Sequence, residues 1–77
     1  MKEIKYMVRD AENRQYHQPL KGYPEIEFFL ESNQNKKIGH KIMTQTGRKN
    51  YQLDNINYYK NQITYYFTEI DKIKEKR

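Results

Sequence analysis

The sequence contains no cysteine and no tryptophan, and its 77 residues include only three glycines and two prolines. Without cysteine, neither a disulfide bond nor a thiolate metal site can form. No apolar run approaches the roughly 18 residues of a membrane-spanning helix, and the opening MKEIKYMVRD lacks the apolar region of a signal peptide. The sequence therefore predicts a cytoplasmic protein that is intact as written.

The content of aliphatic residues and phenylalanine is also low, since Leu, Ile, Val and Phe together supply 15 of the 77 residues. Eight tyrosines supplement them, and a tyrosine ring adds buried area while its hydroxyl needs a polar partner. A chain this short buries about 60% of its unfolded surface. We therefore expect one domain over residues 1–77 with a thin, tyrosine-rich core, and a frayed charged tail over residues 72–77.

Lysine, asparagine, isoleucine and tyrosine supply 34 of the 77 residues, whereas alanine occurs once. All four use A/T-rich codons, which indicates a gene from an A/T-rich genome, such as that of a low-GC bacterium or its phages. In size and composition the chain resembles the loose class of small accessory proteins carried by phages and mobile elements, although no motif carries that resemblance. The same codon bias raises the lysine and tyrosine content independently of function.

The first half of the chain has clear local patterns. Glu3–Arg9 alternates polar and apolar residues with the two-residue period of a strand. Asp10–Asn13 is typical of a turn, so Arg14–Gln18 is expected to return as a short polar edge strand. Pro24–Asn33 fits either a strand or a short helix, and we predict the helix because proline followed by glutamate is a helix-start signal.

The middle of the chain predicts a hairpin. We predict a strand over Lys37–Thr46, because Ile38, Ile42, Thr44 and Thr46 broadly alternate with the other residues. Gly39 indicates a bulge in this strand. Gly47–Lys49 forms the expected turn, and Asn50–Leu53 is the expected return strand, with its tyrosine and leucine on one face.

The last third of the chain fits two templates. As a helix, its isoleucines and tyrosines recur at spacings of three and four, with Asp54 as a cap. As strands, Gln62–Ile70 is rich in β-branched and aromatic residues, and Lys60–Asn61 can turn the chain. We predict a strand over Gln62–Ile70, followed by a helical turn or a frayed tail over Asp71–Arg77.

Together these patterns predict an α+β fold, a small antiparallel sheet of four or five short strands with one short helix packed on a face. The alternative keeps the N-terminal and central hairpins and makes residues 54–76 a long C-terminal helix. Both versions place a cationic tip on the central hairpin.

Positive charge is concentrated in Ser32–Leu53, which contains no aspartate or glutamate and which we call the basic segment. Its five cations are Lys36, Lys37, Lys41, Arg48 and Lys49. They equal the chain's whole formal excess of +5, because ten lysines and arginines balance ten acids elsewhere. Such a cluster can contact phosphates or carboxylates, with Tyr51 stacking on a base. A solvated loop in a lysine-rich protein has the same composition.

Two tyrosine pairs, Tyr58–Tyr59 and Tyr65–Tyr66, lie in the last third. Because adjacent strand residues point to opposite faces, we expect one tyrosine of each pair in the core and the other outside. An exposed tyrosine suits a protein interface or a stacking platform, although it also occurs on ordinary surfaces. The predicted partner-binding residues are Lys36, Lys37, Lys41, Arg48, Lys49, Tyr51, Tyr58 and Tyr66.

The sequence offers little for catalysis. His17 and His40 are its only histidines and Ser32 is its only serine, and none stands in a nucleophile or metal-ligand motif. Three isolated glycines do not make a phosphate-binding loop. We therefore predict no enzyme activity, no catalytic residues, no metal and no cofactor.

Two functions fit the predicted surface. The first is a small non-catalytic protein of the phage or mobile-element type that binds stoichiometrically to an acidic protein surface or a nucleoprotein complex, and inhibits or modulates it. The second is direct, largely non-sequence-specific binding of nucleic acid, such as a single strand, through the basic hairpin. We prefer the first, because no nucleic-acid signature of fixed spacing is present. Neither function involves a membrane.

Overall fold

The computed structural model describes residues 3–12, 15–45 and 49–70. They form four strands and one helix in the order β1 (Glu3–Arg9), α1 (Pro24–Glu31), β2 (Lys41–Thr44), β3 (Lys49–Tyr59) and β4 (Gln62–Ile70). The strands make a single sheet in the spatial order β1-β4-β3-β2. This architecture confirms the predicted α+β class with one short helix. The alternative fold is wrong, because residues assigned there to a long C-terminal helix lie in β3 and β4.

The direction of one strand pair differs from the prediction. β2–β3 and β3–β4 are antiparallel, but β1 pairs with β4 in parallel, so the sheet is mixed. The register joins the apolar sides of both strands, with Ile4 beside Ile63, Tyr6 beside Tyr65, and Val8 beside Phe67. This long-range match brings together more apolar surface than a local hairpin with the polar residues 15–18 would.

The expected N-terminal hairpin is reduced to a single antiparallel bridge. The Val8 N–H donates to the His17 carbonyl at 2.9 Å, and the His17 N–H donates to the Val8 carbonyl at 2.8 Å. The predicted return strand Arg14–Gln18 is therefore wrong for residues 15–18, and Arg14 lies outside the described residues.

Helix α1 begins as its sequence predicts. Pro24 lies in the first turn, and two glutamates follow near the positive end of the helix dipole. The helix ends at Glu31, two residues before the predicted end, because the Ser32 N–H and hydroxyl both donate to the Phe29 carbonyl, at 3.3 and 2.8 Å. Its buried residues are Ile26, Phe29 and Leu30.

The central hairpin has one short strand and one long strand. β2 begins only at Lys41, because the chain first turns at Gly39, whose φ of +100° favours glycine. Gly39 is therefore a turn residue and not the predicted bulge, and the observed bulge lies in β3 between Leu53 and Asn55. β3 runs for 11 residues and extends well past the paired part of β2.

The C-terminal hairpin follows the prediction. β4 has the predicted bounds, Gln62–Ile70, and Lys60–Asn61 turns the chain with Lys60 at a φ of 55°. Lys49, the last residue of the predicted central turn, is instead the first residue of β3. Residues 46–48 and the predicted tail, residues 71–77, lie outside the described residues.

The core lies between α1 and one side of the sheet, which we call the helix face; the opposite side is the open face. Its buried apolar side chains are Val8, Ile26, Phe29, Leu30, Tyr51, Leu53, Tyr65 and Phe67. α1 lies nearest to β2, at one edge of the sheet, and the Phe29 ring stacks on the His40 ring at 4.4 Å. Two of these eight core residues are tyrosines, so the expected contribution of tyrosine to the core is confirmed.

Two phenylalanines give a matched test of this core. Phe67 is fully buried and Phe28 is 73% exposed. Phe67→Ala should lower the free energy of unfolding by about 3–5 kcal/mol, since it removes a packed ring and leaves a cavity. Phe28→Ala should change it by less than about 0.5 kcal/mol. Urea unfolding followed by circular dichroism measures both, and equal losses would contradict the described packing.

Candidate functional site

The cations of the basic segment do not share one face. Lys41 lies opposite Gln52 and Thr44 lies opposite Lys49 in the β2–β3 ladder. Because side chains alternate along a strand, Lys41 belongs to the open face, whereas Lys49 belongs with the buried Thr44 to the helix face. The described part of the basic segment is therefore not a single charged ribbon.

Two of these lysines have contacts within the chain. The Lys49 ammonium lies 3.8 Å from carboxylate oxygens of both Asp10 and Glu69. The Lys36 ammonium donates to the Ser32 carbonyl at 2.6 Å and lies 5.6 Å from the centre of the Phe29 ring. Lys37 and Lys41 are exposed, and Arg48 lies outside the described residues. Among the described residues of the basic segment, the exposed cations are thus Lys37 and Lys41.

Tyr51 belongs to the core. Its side chain is 1% exposed, and its ring lies 5.5 Å from the Tyr23 ring, with the two hydroxyl oxygens 3.5 Å apart. Burial raises the pKa of the Tyr51 hydroxyl, with a further increase from the hydrogen bond to Tyr23. Tyr51 is therefore not accessible to a base or a partner in this structure.

The tyrosine pairs differ from each other. Tyr65 is buried and Tyr66 is half-buried, with the Tyr66 ring 4.8 Å from the Tyr16 ring, as expected for one inward and one outward residue. That expectation is wrong for the other pair, because Tyr58 is 67% exposed and Tyr59 is 65% exposed. Both lie beyond the part of the sheet that α1 covers. Tyr58 is therefore exposed although it lies on the helix face.

The uncovered part of the helix face is apolar. Across the sheet, Ile4 of β1 lies beside Ile63 of β4, which lies beside Tyr58 of β3. Ile56, two residues before Tyr58 in β3, is on the same face. Ile4 is 46% exposed and Tyr58 is 67% exposed, whereas Ile56 and Ile63 are half-buried because one side of each packs against the core. We call these four residues the bare half-face; it lies at the turn end of the sheet, where Lys60–Asn61 joins β3 to β4.

Sequence reasoning named Tyr58 as a partner-binding residue but included none of the isoleucines of this surface among the site residues. One signal could have identified the surface. An eight-residue helix is about 12 Å long, whereas strands of nine and 11 residues run for about 30–36 Å. A single helix of that length leaves part of such a sheet uncovered.

Tyr6 connects the helix to the sheet beside the bare half-face. Its hydroxyl donates to a Glu27 carboxylate oxygen at 3.0 Å and accepts from the Tyr23 N–H at 3.0 Å. Burial raises the pKa of Tyr6 to about 12, and the neighbouring Glu27 carboxylate also raises it. The Tyr6 ring also packs edge-on against Phe67 at 6.3 Å. These contacts hold the start of α1 against β1.

The open face carries a polar cluster around Asp54. Its carboxylate accepts hydrogen bonds from the Thr68 hydroxyl at 2.6 Å, from the Arg9 guanidinium at 3.3 Å and from the Tyr16 hydroxyl. The hydrogen bonds from Thr68 and Tyr16 lower the pKa of Asp54. Burial partly opposes them, and the Arg9 charge adds a smaller decrease. The cluster ties the long loop between β1 and α1 to β3 and β4.

Within residues 3–12, 15–45 and 49–70, the structure has no group of three or more histidine, aspartate or glutamate side chains that could hold a metal ion. In the same ranges, no helix is long and apolar enough to span a membrane. The surface features from which we argue a function are the bare half-face and the exposed lysines of the described residues.

Replacing Asp54 with asparagine should alter the pH dependence of stability. The pKa of Asp54 is lowered in the folded state, so its carboxylate stabilises the fold above the unfolded pKa of about 4, and this contribution is lost as pH falls through the folded pKa. In urea unfolding, the difference between the wild type and Asp54→Asn should be largest at neutral pH and shrink in acid. A difference that does not change with pH would contradict the role of the carboxylate charge, and Glu12→Gln at an exposed position controls for charge removal.

Comparison with known proteins finds no relative from which a function could be transferred. No family model, curated protein or solved structure matches this chain. The functional argument therefore depends on the geometry and chemistry of the surfaces described above.

Proposed function

We propose that this chain is a small non-catalytic binding protein that binds stoichiometrically to another protein, alone or within a nucleoprotein complex, and thereby inhibits or modulates it. The observation that carries the proposal is the bare half-face, an apolar surface that α1 leaves uncovered. A contiguous apolar patch with a polar surround is typical of a protein interaction site.

The side chains of the bare half-face suit the centre of an interface. Tyrosine is among the residues that most often anchor protein complexes, and Tyr58 is exposed beside half-buried isoleucines. Burying a side chain of this size contributes about 1.5–3 kcal/mol. A partner with an apolar centre would therefore gain most of its affinity here.

Charge around the sheet favours an acidic partner. Lys5 follows Ile4 in β1, Lys41 lies on β2 and Lys37 precedes β2, and all three are exposed. The whole chain carries a formal net charge of +5. Lys5 and Lys41 lie on the open face and so do not border the bare half-face. Charge outside a contact surface mainly raises the rate of association, so we assign steering to these lysines and anchoring to the bare half-face.

Two neighbouring tyrosines provide a matched test. Tyr58 and Tyr59 are equally exposed but lie on the helix face and the open face, respectively. Tagged protein should retain a partner in 1:1 ratio from nuclease-treated lysate of the host. Tyr58→Ala should reduce retention at least tenfold, equivalent to about 1.4 kcal/mol, whereas Tyr59→Ala should retain it. Equal retention by both variants, or no partner retained by the wild type, would contradict the proposal.

Nucleic-acid binding is the second candidate, and the open face favours it. Tyr59 is exposed there with the Lys60 ammonium 5.3 Å from the centre of its ring. Lys5 and Lys41 belong to the same face. An exposed aromatic ring among cations is a common platform for single strands.

A fluorescent single-stranded oligonucleotide separates the two functions with the same variants. Under the second candidate, Tyr59→Ala weakens binding and Tyr58→Ala leaves it unchanged. Contacts from Lys5, Lys41 and Lys60 would give a slope of about −2 to −3 in a plot of log affinity against log salt. Affinity that is absent at low salt, or that does not respond to salt, would exclude this candidate.

A further inference from the structure

The outer edge of β3 has no strand beside it, among the described residues, from Asn55 to Tyr59. β2 pairs with β3 only as far as Gln52, and two backbone hydrogen bonds of 2.8 Å, from Gly39 to Leu53 and from Leu53 to His40, extend this contact by one residue. Past that point, β3 has β4 on one side only. The turn end of β3 is therefore an edge strand.

The backbone groups of Ile56 and Tyr58 point out from this edge. In an antiparallel ladder, successive residues direct their N–H and C=O groups to alternate sides. The N–H and C=O groups of Leu53 both point to the β2 side of β3, where they bond to His40 and Gly39. The bulge between Leu53 and Asn55 shifts the alternation by one residue, so the N–H and C=O groups of Ile56 point to the same side. Consistent with this direction, the Ile56 N–H donates at 2.9 Å to the side-chain oxygen of Asn55 and not to β4.

The edge lacks the features that normally prevent pairing with another chain. Exposed edges usually carry lysine, proline or an inward-pointing charge. The stretch from Asn55 to Tyr59, with sequence NINYY, has five uncharged residues and no proline. The opposite edge of the sheet differs, because β1 is bridged by His17 at Val8 and carries charged residues.

We propose that this edge pairs with the same edge of a second copy of the chain, antiparallel about a twofold axis at Asn57. Asn57 then faces Asn57 of the second copy, Ile56 faces Tyr58, and Asn55 faces Tyr59. Ile56 and Tyr58 are the residues with outward backbone groups, so they form the hydrogen-bonded pair of the new ladder. A β-branched residue opposite an aromatic residue is a favourable cross-strand pair.

Pairing of the whole edge selects this register over one shifted toward the turn. Moving the axis to Tyr58 would leave Asn55 unpaired and set Lys60, which has a φ of 55° in the turn, against Ile56. The register centred on Asn57 is the one that pairs every residue of the edge.

The pairing would also join the two bare half-faces. Ile56 and Tyr58 both lie on the helix face, so a twofold axis perpendicular to the sheet keeps both helix faces on the same side. The two apolar surfaces would then be continuous across the new ladder. The dimer thus presents one larger surface without covering it.

Charge substitutions at Asn57 test the pairing on purified protein. Asn57 is exposed on the open face, so its replacement should leave the fold intact. Sedimentation equilibrium should show the wild type at twice the mass of one chain, 9.6 kDa. Asn57→Lys and Asn57→Glu each place like charges opposite one another and should weaken the dimer about two- to fivefold. An equimolar mixture of the two variants should restore the association.

Asn33→Lys makes the same change at an exposed position away from the edge and should keep the wild-type dissociation constant. Wild type that remains at single-chain mass up to about 1 mM would overturn the proposal. So would an unchanged dissociation constant for Asn57→Lys, or a mixture that fails to associate more tightly than either variant. Because only purified protein is used, none of these outcomes bears on capture of another partner.

Discussion

The length of α1 sets the organisation of this molecule. An eight-residue helix of about 12 Å packs on a sheet whose two central strands run for about 30–36 Å. The buried core therefore forms where the helix lies, around Tyr51, Leu53 and Phe67. The same alternation of apolar residues continues to the turn end of the sheet, where Ile56 and Ile63 are only half-buried and Ile4 and Tyr58 are exposed. Apolar surface that a longer helix would bury is thus left for contact with other molecules.

Long-range contacts hold this partly covered sheet together. The parallel pairing of β1 with β4 connects residues about sixty positions apart and places β4 at the centre of the sheet. On the helix face, Tyr6 joins β1 to the start of α1 through Glu27 and Tyr23. On the open face, Asp54 joins β3 to Thr68 in β4 and to Tyr16 in the loop. Both sides of the sheet are therefore tied by hydroxyl groups, as a tyrosine-rich chain requires.

Local patterns were enough to predict β1, the start of α1, β4 and the turn at Lys60–Asn61, because each depends on the period of its own residues or on a turn or capping signal. The parallel pairing of β1 could not be predicted in this way, since it depends on the register between distant strands. The bulge at Asn55 hid the length of β3 by interrupting its alternation. Burial of Tyr51 and exposure of Tyr58 depend on where α1 ends over the sheet, which no local pattern specifies.

The central claim is that the helix face is covered at Tyr51 and uncovered at Tyr58. Photochemically induced nuclear polarisation of tyrosine rings by an excited flavin measures this directly in solution, because only rings that the dye can reach give a signal. The account predicts strong signals from Tyr58 and Tyr59 and none from Tyr51 and Tyr65. A silent Tyr58 in the free protein, or a strong signal from Tyr51, would contradict it.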